Sequence, residues 1–336
     1  MEGIGVPQRA RARLALTLLV SGLPLWAGSG FAQEARSVSR QTFEAWFTEL
    51  SNWGRWGQND ERGTLNLIDP GVRRAAAALV AEGRSVSLSH AVLTGEAPDN
   101  ATPFRHRMLE TGAGEGAWAM DELSVVFHGY AHSHMDAVCH RFQEGRIFNG
   151  YPRSEVTAEG CRKLAVTVAR DGILTRGVLV DLPRLRGVRW LEPGTAIYRK
   201  DLEAWERDAG LRVRAGDALL VRTGRWALRA AEGPADVSRR SAGLHASAVS
   251  WLRERDVALL GSEAASDVAP SGVEGETHPV HVLALVALGM PILDNLDLDA
   301  VAEEAARLGR WEFMLSVAPL VIPGGTGSPV NPIATF

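Results

Sequence analysis

The chain has 336 residues, 46% of them apolar and 23% charged, proportions that exclude a disordered, collagenous or disulfide-scaffold protein. Its 36 Lys and Arg stand against 40 Asp and Glu, a formal charge of -4, so no diffuse basic field exists to hold a polyanion. Nucleic acid is therefore set aside as a partner, and a small molecule is expected.

Residues 1–32 read as a secretory leader. Arg9, Arg11 and Arg13 precede an apolar run over 14–26, and Gly30, Phe31 and Ala32 supply the small-residue cleavage site. Gly22 and Pro24 interrupt that run, which falls short of the roughly 20 apolar residues needed to span a bilayer. The expectation is export to a periplasm or the outside, with residues 33–336 a single domain free of the membrane once the leader is gone.

Residues 52–70 are rich in Gly and Asn and read as an ordered loop holding Trp53 and Trp56. A helix follows over 70–81, with Asp69 as N-cap, Pro70 in the first turn and Gly83 as the stop. Short β-branched or apolar runs predict strands at 85–88, 123–127, 177–181, 218–222, 257–260 and 313–317. Helical windows at 200–209, 244–254 and 281–288 lie between them, the last stopped by Gly289. This interleaving is that of one α/β domain. Residues 319–336 contain PGGTGSPVNP, too rich in Gly and Pro for regular structure, and are expected to wrap the surface or a pocket rim.

Export permits a disulfide, and the chain has two cysteines. Cys139 is read as a small buried packing residue; a bridge to Cys161, or an outer place in a metal site, are the alternatives.

The chemistry concentrates in residues 127–140, FHGYAHSHMDAVCH, which hold four of the nine histidines. If the chain stays extended after the strand at 123–127, side chains alternate, and His128, Tyr130, His132, His134 and Asp136 share a face. Imidazoles and a carboxylate at period two form a ligand set for Zn, Mn or a related divalent ion. Packed together without a cation, such rings lack enough donors and acceptors to be buried without penalty. His140, four residues past Asp136, sits where a general base belongs.

This segment resembles the signature of the putative cyclase family of metal-dependent hydrolases, which includes bacterial kynurenine formamidase and isatin hydrolase. The pattern His-x-Gly-Thr-His-x-Asp-x-Pro-x-His is met at His134, Asp136 and His140, with Ser133 near its Thr; its first His, its Gly and its Pro fall on Tyr130, His132 and Val138. The resemblance implies an α/β domain with a mixed sheet and flanking helices, the swivelling β/β/α (cyclase-like) fold. It implies His134 and Asp136 as ligands, Asp136 able to bridge two ions, and His140 as catalytic base. For the first ligand, parity favours His132, with His128 second and Tyr130 a further candidate; Ser133 supplies a supporting hydroxyl.

Residues 177–181, 216–224 and 261–270 resemble other parts of the family, and 281–296 its second-metal region. There His281 becomes a ligand, with a buried structural histidine as the alternative, and Asp294 stands where the family has Glu, a turn or N-cap residue before Leu296 being the alternative. Glu263 and Asp267 follow a strand end, a common place for site residues, although turn formation also accounts for them. His278 reads as a loop residue, and Thr223-Gly224 as pocket wall.

One or two divalent ions in such a site lower the pKa of water from about 15.7 toward about 7, and His140 moves the proton. The expected reaction is hydrolysis of an amide, formamide or cyclic amide; that the small substrate is aromatic, and the enzyme arylformamidase-like, is implied by the resemblance alone. A homo-oligomer is expected. Two other classes stay open: an exported metal- or ligand-binding protein without turnover, and a cyclase or dehydratase. A free base beside the ligands favours an enzyme, and the lack of a Gly-x-Ser-x-Gly elbow weakens seryl catalysis.

Overall fold

A computed structural model describes residues 1–3, 5 and 37–336. Apart from residues 1–3 and 5, the expected leader lies outside the described residues. Nine strands make the main sheet: β1 (Ser85–Ser87), β2 (His134–Asp136), β3 (Ile173–Asp181), β4 (Ala218–Arg222), β5 (Leu259–Ser262), β6 (Ile292–Asp294), β7 (Glu312–Val317), β8 (Gly327–Pro329) and β9 (Ile333–Thr335). Their spatial order is β1-β9-β7-β3-β4-β5-β6-β2-β8.

The centre, β3 to β6, is parallel. Its strands are apolar on both faces, as burial between two layers requires: Val178, Leu179, Val180, Leu219, Leu220, Leu259 and Leu260 are all buried. Antiparallel pairs extend it, with β7, β9 and β1 on one side and β2 and β8 on the other. The mixed sheet with flanking helices matches the expected fold class, and each strand window from 177 onward, with 85–88, overlaps a strand.

β8 and β9 are separated by only residues 330–332, yet β8 is the last strand of the order and β9 the second. Four Cα steps from Pro329 to Ile333 span at most about 14 Å. The sheet must therefore curl until its two ends nearly meet, and the chain from Gly324 onward laces the seam: Cys161 and Val166 donate to the Gly324 and Gly325 carbonyls at 2.8 and 2.9 Å.

The N-cap at Asp69 forms, accepting from Val72 N at 2.8 Å, although the helix ends at Ala77 rather than 81. The window 200–209 is the helix Arg199–Ala209. The window 244–254 breaks into a short strand Gly243–Leu244, a 3-10 turn Ala246–Ala248 and a helix Val249–Glu254. In 281–288, the one turn Pro279–His281 passes into a π-helix Val282–Leu288 capped by Gly289 at φ 67°.

Three expectations fail. The window 123–127 is strand only at Leu123 and Ser124, and outside the main sheet: Met120–Ser124 pairs with Arg105–Glu110 in a hairpin whose residues are all exposed. Residues 319–336 do contain regular structure, because β8 and β9 need only backbone pairing, and Pro329 ends an edge strand where proline is tolerated. Cys139 is disulfide-bonded to Cys161 across a Cα separation of 6.6 Å, within bridging range, so its burial is that of a cross-link and not of simple packing.

Candidate metal centre

β2 is three residues long, buried throughout, and pairs with β6 on one side and β8 on the other. The pleat sends Met135 into the core and turns His134 and Asp136 to the opposite face. Asp294 lies directly across from His134 in the β6 register and completes that face. Gly327 on β8 is required there, since a Cβ would stand 2.4 Å from the Met135 carbonyl.

Asp136, 1% exposed, is the centre of convergence. Its Oδ1 lies 2.9 Å from His128 Nδ1 and 3.3 Å from His134 Nε2. Its Oδ2 lies 3.6 Å from His281 Nε2 and 3.9 Å from His140 Nε2. His281 Nε2 also reaches Asp294 Oδ2 at 3.2 Å. These groups, with Gly129, Tyr130, Arg141, Ala265 and His278, line a cavity of about 250 Å³.

The far nitrogens separate the histidines into two kinds. His134 Nδ1 donates to the His132 carbonyl at 2.8 Å, His281 Nδ1 meets Asp267 at 2.6 Å, and His128 Nε2 meets Thr326 Oγ1 at 2.9 Å. An oxygen partner on the outer nitrogen fixes tautomer and aim, the usual support of a metal-binding imidazole. His140 has no such partner; it stacks on His128 with centroids 3.9 Å apart.

Charge follows this geometry. Burial opposes ionisation of Asp136, but the neighbouring His128 and His134 outweigh it and hold the carboxyl well below its usual range. Burial likewise opposes a charge on His281, and Asp294 and Asp267 overcome it, holding the imidazole well above 6.5. For His140 burial wins over the attraction of Asp136, and its pKa falls to about 4. Burial, then Asp294, pushes Tyr130 up to about 12, so its hydroxyl keeps its proton; it lies 3.0 Å from His278 Nε2.

Of the residues singled out in the sequence, His128, His134, Asp136, His140, His281 and Asp294 come together, with Tyr130 in the cavity wall. Asp267 stands behind His281, where it also accepts from Val280 N at 2.6 Å. The Ser133 hydroxyl donates to the Asn295 carbonyl at 2.7 Å. Glu263 is elsewhere: its Oε2 accepts from the backbone of Thr223 and Gly224, both at 2.6 Å, at the start of the helix Arg225–Glu232.

His132 does not join the cluster. The parity argument needs an extended chain, but residues 128–133 bend, with Gly129 at φ 153°, and the alternation holds only within β2. His132 instead lines a separate cavity walled by Phe104, Leu123, Val125 and Val330, and His128 takes the position against Asp136.

Sequence reading missed Thr326, inside a segment dismissed as irregular, and the pair Arg225 and Asn295. An arginine in the first turn of a helix opposes the helix dipole, a signal that could have drawn attention to Arg225.

The donor set fits a divalent cation. Asp136 Oδ1 and His128 Nδ1 are buried and 2.9 Å apart, yet their alignment is not that of a hydrogen bond, which leaves both able to face a cation. Two triads, His128–Asp136–His140 and His134–Asp136–Asp294, each bring their donor atoms within 4.8 Å of one another and share Asp136. Imidazole nitrogen with carboxylate oxygen suits Zn, Mn or a similar ion.

Comparison with known proteins shows the family and the fold in which this cluster sits. A family model described as putative cyclase matches residues 86–267. A crystal structure described as that of a novel cyclase is 31% identical, with 86% of this chain and 99% of that one covered and a TM-score of 0.77. Isatin hydrolase A from Ralstonia solanacearum is 25% identical over 79% of this chain and 97% of its own, with a TM-score of 0.54. Isatin hydrolase A from Labrenzia aggregata, at 21% identity, 78% and 96% coverage and a TM-score of 0.53, shares the fold. No curated protein matches the chain. With the His/Asp cluster seated on a strand of the matching fold, the chain belongs to the putative cyclase family and is related to the isatin hydrolases.

Proposed function

We propose that this protein is a metal-dependent hydrolase that opens an amide, formamide or cyclic amide of a small aromatic molecule. The observation that carries the reading is the convergence of four imidazoles and two carboxylates on one small cavity, three of the rings braced from behind by oxygen. His128, His134, His281, Asp136 and Asp294 would hold the metal, one ion or two, with Asp136 common to both triads. When bound, a divalent cation there supplies Lewis-acid chemistry, polarising a carbonyl and acidifying water.

The chain supplies the rest. His140, unbraced and neutral at neutral pH, takes a proton at Nε2 from the water that attacks the carbonyl carbon and returns it to the leaving nitrogen as the C–N bond breaks. Tyr130, held protonated, offers a hydroxyl at the cavity wall beside His278. The isatin hydrolase relatives support a cyclic amide on an aromatic ring as the substrate class, arylformamides being the acyclic equivalent. The test is a panel of formanilides, isatins, cyclic imides and lactones with protein loaded with Zn or Mn: turnover of an amide, lost on chelation and restored by metal, is expected, and metal binding without turnover on any member would leave a binding protein.

We also propose that the protein works outside the cytoplasm and as a homo-oligomer. The Cys139–Cys161 bond supports an oxidising compartment, and among the described residues no helix is long and apolar enough to cross a membrane. The hairpin exposes Met108, Leu109, Trp118, Met120 and Leu123, an apolar surface suited to a second copy. Cell fractionation and light scattering test these two statements.

A further inference from the structure

Arg225 is 7% exposed in the first turn of its helix, where burial and the helix dipole both oppose a cation. Its contacts show what holds it there. Nη1 donates to the Glu263 carbonyl at 2.7 Å and to Asn295 Oδ1 at 2.8 Å; Nη2 donates to Asp99 at 3.3 Å and to the Tyr130 carbonyl. Asn295 continues the chain of contacts: Nδ2 donates to the Gly129 carbonyl at 2.7 Å and the His132 carbonyl at 3.3 Å.

Three carbonyls within four residues, at 129, 130 and 132, are thus tied to one guanidinium and one amide. This stretch has no helix or strand of its own to hold it. It begins one residue past His128 and ends two before His134. The His132 carbonyl it fixes is also the acceptor for His134 Nδ1, the bond that leaves Nε2 facing Asp136. Nor do the nearby acids depend on Arg225: Asp99 keeps Arg229 at 2.7 Å, and Glu263 Oε2 keeps the backbone N–H groups of Thr223 and Gly224. What loses its partner without Arg225 is the Asn295 amide oxygen and the carbonyls of Tyr130 and Glu263.

We propose that Arg225, acting through Asn295, is the positioning residue that sets His128 and His134 on Asp136 and thereby fixes the metal affinity of the centre. This rests on the metal-centre reading above. The test titrates Co²⁺ into metal-free protein, following its visible absorption, beside the thermal melt of the same protein in chelator. Arg225→Met should bind Co²⁺ about 10- to 100-fold more weakly, with altered absorption bands, the usual scale for loss of a residue that braces ligands. Arg225→Lys keeps the charge without the fork and should stay weak. Asn295→Gly, which tolerates the φ of 54° at that position, should weaken binding as well and serves if Arg225→Met does not fold.

Unchanged affinity and absorption in Arg225→Met and Asn295→Gly, with only a lower melting temperature, would assign a purely structural role and overturn the proposal. Full recovery in Arg225→Lys would overturn it too, because charge alone would then suffice. Absence of Co²⁺ binding by the wild-type protein would remove the metal-centre reading and this proposal together, whereas wild-type binding with unaffected variants removes only this one.

Discussion

β4 and β2 belong to one sheet, three places apart, and are held in different ways. In β4, Ala218, Leu219, Leu220 and Val221 are buried by apolar layers on both faces, so burial alone specifies the strand. β2 has three residues, two of them ionisable; backbone pairing with both neighbours holds it, and the groups around it are fixed by hydrogen bonds with Thr326, the Asp267 carboxylate as acceptor and the Asn295 amide as donor. The difference separates stability from chemistry: one region can weaken without touching the site, and the other can lose its function in a folded protein.

The sharpest test of that separation is Asp136→Ala, expected to remove the metal, as read by elemental analysis, and with it all turnover, while the far-ultraviolet circular dichroism stays that of the wild type. Full metal content in this variant would break the ligand assignment. Next in size, His140→Ala should lower kcat by about 10²- to 10⁴-fold with metal retained. Because burial sets His140 near 4 despite Asp136, the limb that its protonation adds to the kcat–pH profile of metal-loaded protein should lie near pH 4, and that limb should vanish in the variant. Leu220→Ala, in the parallel centre, should cost about 2–5 kcal/mol of unfolding free energy and leave KM and metal affinity unchanged; a shift in either would show that the regions are coupled. A cost inside that range, about 3 kcal/mol, is expected from Cys139→Ala/Cys161→Ala for opening a loop with a sequence separation of 22, measured by chemical denaturation.

What the sequence revealed follows the same division. The runs GVLVD at 177 and ALLVR at 218 announce buried strands because hydrophobicity is a property of each residue taken alone. His134 and Asp136 were legible because two residues of pleat place them together whatever surrounds them. His281 and Asp294 required the family resemblance, since they come from distant segments. The choice between His132 and His128 went wrong because it extended a local period through a bend that only tertiary contacts impose. β8 and β9 escaped notice because a three-residue edge strand is specified by its partner's backbone and not by its own side chains. Arg225 and Asn295 act through carbonyls, which carry no residue identity at all.

The closing seam has a consequence for how the chain matures. During synthesis β1 through β7 emerge first, with open edges and with His128 lacking its hydroxyl partner, because Thr326, β8 and β9 all follow residue 325. A chain lacking these last residues therefore holds most of the residues of the hydrophobic interior but no finished cation pocket, and metal loading should be a late, post-assembly event.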